Sequence, residues 1–424
     1  MSEWKLKNLK DLSVSITSGL TPLKNNSEYW DNPVIPWLKT DQLGEKYIWD
    51  TNTKISEIAL EKTSLKLYPP KTLSIAMYGE GKTRGNISII MKPMATNQAC
   101  CNIIINDEKA DFEYVYYYMK TQYESLRGLS SGVRNNLNAN DIKNYEIRIP
   151  ESIVEQNNIS KVLSVLDQKI AINNQINEEL EAMAKTLYDY WFVQFNFPDE
   201  NGKPYKSSGG KMVYNDQLKR EIPEGWGVKQ LGELCEFRNG INYEKSETGD
   251  TLSKIVNVRN ISNSSTFVTT HDLDSIALDR RRIESYLVTD RTILITRSGI
   301  PGATRIVSDI PANTIYSGFI IGATVANLNL FYYVFYHLKN IEMLMSNQSA
   351  GTIMKNISQT TLSEIRIAIP NKEIQKVFSN QVRSLLDVIE NNLKQNQELT
   401  QLRDWLLPML MNGQVKVEDN LWKL

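Results

Sequence analysis

In the second half of this chain, Arg297-Ser298-Gly299-Ile300-Pro301-Gly302 lies within the run LITRSGIPGATRIV, which also holds Arg305. Two glycines and a proline between apolar runs specify a strand, a turn and a second strand, with backbone that a partner can approach closely. A cognate loop stands earlier, Gly79-Glu80-Gly81-Lys82-Thr83-Arg84-Gly85. Arg280, Arg281 and Arg282 form a basic run ahead of the later loop. Two polar loops complete the set. Ser130 to Asn136 contains Arg134, Asn135 and Asn136, and Ser349 to Asn356 contains Lys355 and Asn356. Side chains of these types hydrogen-bond to base edges and to phosphate oxygens. The expected chemistry is therefore recognition of DNA by Lys82, Thr83, Arg84, Arg134, Asn135, Asn136, Arg280, Arg281, Arg282, Arg297, Ser298, Arg305, Lys355 and Asn356.

Bond-making chemistry finds less support. Gly81-Lys82-Thr83 looks like the end of a phosphate-binding loop, but Ala76 stands where the first glycine belongs. The following RGNISIIM reads as a strand, whereas a phosphate loop must open a helix. Pro198-Asp199-Glu200 with Lys203 resembles part of a nuclease carboxylate cluster, yet lies in a loop without the second acidic residue. An Asn/Asp-Pro-Pro-aromatic methyltransferase tetrapeptide is absent, as is a glycine-rich loop for S-adenosylmethionine. Only His271 and His337 are available, too few for a histidine-rich metal site, and no metal site is expected. His337, in FYYVFYHLK, reads as a core or helix-face residue. Cys100, Cys101 and Cys235 lack zinc-ligand spacing and read as buried thiols in a reducing compartment.

Forty-eight Lys and Arg against 49 Asp and Glu leave a net charge of −1, so contact with DNA has to come from local patches. No run approaches the roughly 18 apolar residues needed to cross a bilayer, and MSEWKLKNLK lacks a signal-peptide core. The expectation is a cytoplasmic protein with no membrane partner.

The elements that carry the loops occur twice. FEYVYYYMK and SSGVRNNLNANDIKNYEIRIP are matched by FYYVFYHLK and SAGTIMKNISQTTLSEIRIAIP, and each set is followed by a long polar helix. Pro150 and Pro370 stand 220 positions apart, Lys120 and Lys339 219 apart. A near-constant offset over whole modules is duplication of a complete unit. Each module is mixed α/β and about 150 residues long, an ordinary domain size. The first helical stripe runs Ile159, Leu163, Leu166, Ile170, Asn173, Ile176, Leu180, Met183, Leu187, Tyr190. The second runs Val382, Leu385, Ile389, Asn392, Asn396, Leu399, Leu402, Leu406. Subtracting 219 from Asn392 and Asn396 gives Asn173 and Asn177, so both helices carry asparagine pairs at equivalent seam positions, where asparagine fixes register.

The organisation that follows is a module over residues 1–150, a helix over 151–194, a linker over 195–220, a second module over 221–370, a second helix over 371–412 and a tail over 413–424. The fold class is α/β (α+β): two duplicated domains separated by two long antiparallel coiled-coil helices in a pseudo-twofold, circular arrangement. The chain ends should meet. Helices of about 35 to 40 residues are on the order of 55 to 60 Å long, enough to hold two domains about one DNA turn apart.

IPEGW-x-V-x-x-LGEL, LITRSGIPGATRIV, and SSGVRNNLNANDIKNYEIRIP followed by Glu155-Gln156 and a long helix resemble the specificity subunit of type I restriction-modification enzymes, over nearly the whole chain. The resemblance implies two target-recognition domains, each reading one half of a split DNA sequence from the major groove. It implies no active site and no cofactor in this chain. Two methyltransferase subunits and two restriction/translocase subunits are the implied partners, and S-adenosylmethionine, ATP and Mg would belong to them. The second helix departs from the pattern, with Glu373 and Gln375 in place of an adjacent Glu-Gln. The recognition loops differ widely between the copies, which implies unlike half-sites. A DNA adapter of a related type IIB-like enzyme and a non-catalytic coiled-coil scaffold share much of this signature; copurifying subunits separate the first, and absence of sequence-specific DNA retention the second.

Overall fold

The computed structural model describes residues 3–79, 83–129, 136–244, 246–347 and 357–417. Contacts divide the chain into two units, residues 1–170 with 397–424 and residues 171–396. Both boundaries fall inside long helices, Ile153–Tyr188 and Lys372–Met411, so each unit owns an α/β module and a portion of each helix.

In the first unit a five-stranded sheet runs, in spatial order, Ser13–Ser18, Cys100–Ile105, Thr72–Ala76, Ile87–Ile90, Tyr47–Ile48. Only its last pairing is parallel. Its central strands are buried throughout and read as continuous apolar runs, as strands covered on both faces must. A three-stranded sheet, Lys54–Ile55, Ile35–Leu38, Ala95–Thr96, lies in the same module. Trp4–Asn8 pairs antiparallel with Glu146–Pro150 and ties the start of the module to its end. The aromatic helix Phe112–Thr121 buries Tyr114, Val115, Tyr116, Tyr117, Tyr118 and Met119 in the module's core, and Asp111 caps it through Tyr114 N–H.

The second unit repeats this topology strand for strand. Its five-stranded sheet is Cys235–Asn239, Ile320–Val325, Thr292–Thr296, Thr304–Val307, Phe267–Val268, again with only the last pair parallel. Its three-stranded sheet is Asp274–Leu278, Thr251–Val256, Thr314–Tyr316, and Gly227–Gln230 closes on Arg366–Ile369. In both units a glutamine on the long helix fastens the strand exit. Gln156 Nε2 donates to Pro150 O and Gln375 Nε2 to Pro370 O, each at 2.7 Å. The residues that set Glu155-Gln156 and Glu373/Gln375 apart in sequence therefore share one structural task.

The long helices run antiparallel. Within the second unit, Asn173 Nδ2 donates to Asn396 Oδ1 at 2.8 Å and to Gln395 Oε1 at 2.7 Å. Asn392 Nδ2 donates to Asn177 Oδ1 at 2.9 Å, so position falls along one helix as it rises along the other. The buried stripe departs from the one the sequence suggests. Asn173 and Asn177 are buried as expected, but Ile176, Met183, Tyr190 and Leu402 are exposed, while Ala184 and Tyr188 are buried.

The stretch read as a linker is folded. Phe195 and Phe197 are buried against Trp226, with ring centroids 5.6 and 5.1 Å away, and Met212–Asn215 pairs with Arg220–Pro223 as a hairpin. Its polar composition belongs to turns whose aromatic residues are anchored in the second unit's core. Asp199 serves such a turn, its carboxylate accepting the N–H groups of Asn201 and Lys203 at 2.8 Å. In the first unit Trp4, Val415 and Val417 pack on one core, and the Trp4 ring lies against Gly413, so the first and last described stretches of the chain adjoin. Among the described residues no helix is long and apolar enough to cross a membrane.

Candidate nucleic-acid interface

Each glycine-containing loop joins antiparallel neighbours of a five-stranded sheet. Residues 77–86 connect Thr72–Ala76 to Ile87–Ile90, and residues 297–303 connect Thr292–Thr296 to Thr304–Val307. The first is followed by the strand Ile87–Ile90, where a phosphate-binding loop would be followed by a helix. A second loop, after the aromatic helix, returns to the base of the hairpin. Leu137 N–H donates to Met77 O at 3.1 Å, and Ile357 N–H to Arg297 O at 3.2 Å. A third segment is fixed to the same residues: Met77 N–H donates to Ala99 O at 2.8 Å, Arg297 N–H to Phe319 O at 2.9 Å. All three pairs of positions, 77 and 297, 99 and 319, 137 and 357, are 220 apart. One scaffold thus gathers the base of the hairpin, the turn and the residue that follows the polar loop at one edge in each unit.

In the second unit this edge gathers several of the expected residues. Arg297 is half-buried, and its Nη1 donates to Gly318 O at 3.2 Å. Its Nε is buried with no hydrogen-bond partner among the described residues. Ser298 is half-buried beside it. Arg280 and Arg281 are exposed on a short helix, while Arg282 is paired with Glu247 at 2.5 Å and donates to Asn242 O. Asn242 in turn adjoins Gly318, so Arg282 and the hairpin reach the same turn.

Arg305 is elsewhere. It is 8% exposed on the strand Thr304–Val307, paired with Glu342 at 3.0 Å, and its Nε donates to Ser264 O at 2.6 Å. A guanidinium so committed cannot present donors to a base, and its role is to lock the sheet to the aromatic helix. The same patch burdens Lys339, whose ammonium donates to Ser265 O at 2.7 Å; burial, with Arg305 nearby, pushes its pKa down to about 8.

In the first unit Thr83 and Arg84 are half-buried on the hairpin, and Asn136 is half-buried at the end of the polar loop. Arg84 O accepts Arg127 Nη1 at 3.2 Å, and the Arg127 guanidinium lies 5.3 Å from the Tyr123 ring. Lys120, Tyr123 and Arg127 with Asn86 line a groove of about 600 Å³ beside the hairpin. Desolvation, with Arg403 adding repulsion, lowers the Lys120 pKa from the usual lysine range. Tyr123 and Arg127 are absent from the set expected from sequence. Their signal was a Tyr and an Arg four residues apart on a helix leading into the polar loop. Lys82, Arg134, Asn135, Lys355 and Asn356 lie outside the described residues.

The modules dock on the helices differently. In the first unit Lys46 is held between Glu113, at 3.1 Å, and Asp167 of the long helix, at 3.8 Å, and donates to Tyr117 Oη at 2.8 Å and Ser164 Oγ at 3.0 Å. Arg403 of the other helix reaches Asp167 at 2.9 Å. In the second unit the joint is largely apolar, with Tyr188, Phe192, Tyr333 and Phe378 in mutual ring contact. His337 is half-buried there, its Nδ1 3.0 Å from Tyr188 Oη, and desolvation pushes its pKa down to about 4. Cys100, Cys101 and Cys235 are all buried and unpaired thiols, each with its pKa pushed up to about 12 by burial.

Two α/β modules with one topology, unlike loops on matched edges and a shared pair of antiparallel helices define a duplicated recognition protein. The type I restriction modification DNA specificity domain matches residues 1–182 and 223–401, and the chain belongs to the family of type I restriction-modification specificity subunits. It is 30% identical to the type I restriction enzyme MjaIX specificity subunit of Methanocaldococcus jannaschii, over 98% of this chain and 94% of that one. The HindI specificity subunit of Haemophilus influenzae is 24% identical over 67% of this chain and 72% of its own. The crystal structure of the type I restriction-modification system S subunit from M. genitalium shares the fold, with a TM-score of 0.59 at 18% identity and 96% of each chain covered.

Proposed function

We propose that this chain is the non-catalytic specificity subunit of a type I restriction-modification complex and reads a two-part, asymmetric DNA sequence, one part with each unit. The supporting observation is the pair of edges. The same backbone bonds assemble them, yet their side chains differ: buried Met77 and Ala99 in one unit stand where half-buried Arg297 and exposed Phe319 stand in the other. A common scaffold gives both units the same approach to a duplex, and unlike side chains give them different bases to read. Candidate contacts are Thr83, Arg84 and Asn136 with Tyr123 and Arg127 in the first unit, and Arg280, Arg281, Arg297 and Ser298 in the second. Lys82, Arg134, Asn135, Lys355 and Asn356 belong to the same loops by sequence.

Partners follow from this reading. Two methyltransferase subunits would supply S-adenosylmethionine chemistry, and two restriction/translocase subunits ATP-driven, Mg-dependent cleavage, in the cytoplasm where the host's DNA lies. This chain would contribute recognition and assembly. The test is selection from a random double-stranded DNA pool by the full chain copurified with its methyltransferase subunit. Enrichment of two specified parts separated by an unspecified gap is expected. Enrichment of one uninterrupted motif, or none, would refute the reading.

A further inference from the structure

Phe319 is the only phenylalanine among the described residues that stands exposed, with 65% of its surface in solvent. Leaving a phenyl ring in water forgoes the stabilisation its burial would give. The backbone nevertheless holds it out. Ser317 N–H donates to Val256 O at 3.0 Å, Gly318 N–H to Ile241 O at 2.8 Å, and Ile320 N–H closes back on Ser317 O at 2.9 Å. Arg297 grips the turn twice, through its N–H to Phe319 O and its Nη1 to Gly318 O. A Cβ on Gly318 would meet the Asn242 amide oxygen, so the Asn242 side chain packs directly on the turn. The ring is displayed on a rigid mount beside the hairpin, whose own Ile300 is 51% exposed.

At the equivalent place in the first unit, the same bond from residue 77 holds Ala99, only 9% exposed. A large apolar side chain thus appears in one copy of the scaffold alone, at an edge that also carries Arg297 and Ser298. In the major groove the base pairs present hydrogen-bonding atoms and one apolar feature, the thymine C5-methyl group. Donors on Arg297 and Ser298 suit the former, and the ring suits the latter. We propose that Phe319 reads a thymine methyl group in the half-site recognised by the second unit, an inference that rests on the DNA-reading function proposed above.

The test replaces each thymine of that half-site, one at a time, by deoxyuridine, which removes the methyl group and nothing else. Binding is measured for the full chain in its methyltransferase complex, as wild type, Phe319→Ala and Phe319→Leu. Wild type should lose about four-fold in affinity at one position, the factor that burying one methyl group supplies. Phe319→Ala should bind thymine and uracil alike at that position, and Phe319→Leu should keep part of the preference. A half-site without thymine, equal binding of every deoxyuridine probe by wild type, or discrimination that persists in Phe319→Ala would each overturn the proposal. Failure of wild type to prefer its own target over random DNA would instead refute the DNA-reading function.

Discussion

Two arginines in one strand-turn-strand motif have opposite fates. Arg297 lies at the hairpin's base on the recognition edge, whereas Arg305 points into the module and is saturated by Glu342 and backbone carbonyls. Sequence gives both the same chemistry. Which side of a strand faces the core depends on the register against its neighbours, and Arg305 pairs opposite Leu294 in a sheet buried on both faces. Removing one member of such a buried pair strands the other charge, which costs about 3 kcal/mol or more. Arg305→Ala should therefore lower the chain's melting temperature while leaving base preference unchanged; altered discrimination at one base with unchanged stability would return Arg305 to the interface.

His337 gives a pH-dependent counterpart. Its folded pKa of about 4 lies below the ordinary histidine value of 6.5, so between those pH values the unfolded chain binds a proton that the folded chain excludes. Stability of the second unit is complete above pH 6.5 and falls as pH drops toward 4, by about 3 kcal/mol for a shift of this size. Urea titrations across this window should show a steeper loss for wild type than for His337→Gln. Parallel profiles would mean that the imidazole is not desolvated.

At the scale of elements, the long helices and both β/α modules were legible because periodicity and duplication are properties of the sequence itself. Their faces were less so. Counting by threes and fours along the first helix drifts from the true seam, so Ile176 and Met183 fall on the expected stripe although they are exposed, and Ala184, which is buried, falls off it. The Gly-, Lys- and Ser-rich composition of residues 195–220 reads as a linker, yet Phe195 and Phe197, with Tyr205, Met212, Val213 and Leu218 packed beside them, anchor the stretch in the core. The asparagine pairs, by contrast, were visible from the 219-residue offset, and they join the two helices across the seam. If helix length sets the gap between half-sites, four residues inserted after Asn177 and four before Asn392 add about 6 Å, or about two base pairs. The gap should lengthen with both half-sites unchanged. An insertion in one helix alone should leave the asparagine pairs in place but shift the seam beyond them out of register and weaken assembly. A changed half-site would show that the helices themselves read bases.

For the whole molecule, duplication is the governing fact. It makes each unit a complete reader with its own sheet, aromatic helix and loop edge, and it lets the side chains at one edge diverge without disturbing the other. The offset that revealed the repeat also identified the equivalent residues, Met77 with Arg297 and Ala99 with Phe319, although only folding showed that they meet at one edge. Independence of the two readers is the central claim, and the most direct measurement is single-molecule methylome sequencing of host DNA. It compares cells expressing wild-type chain, a variant with Arg84 and Arg127 replaced by alanine, and one with Arg280 and Arg281 replaced. Wild type should yield one methylated two-part motif, and each variant should relax discrimination within a different part while the other stays fixed. Relaxation of both parts by either variant, or of the same part by both, would contradict the account.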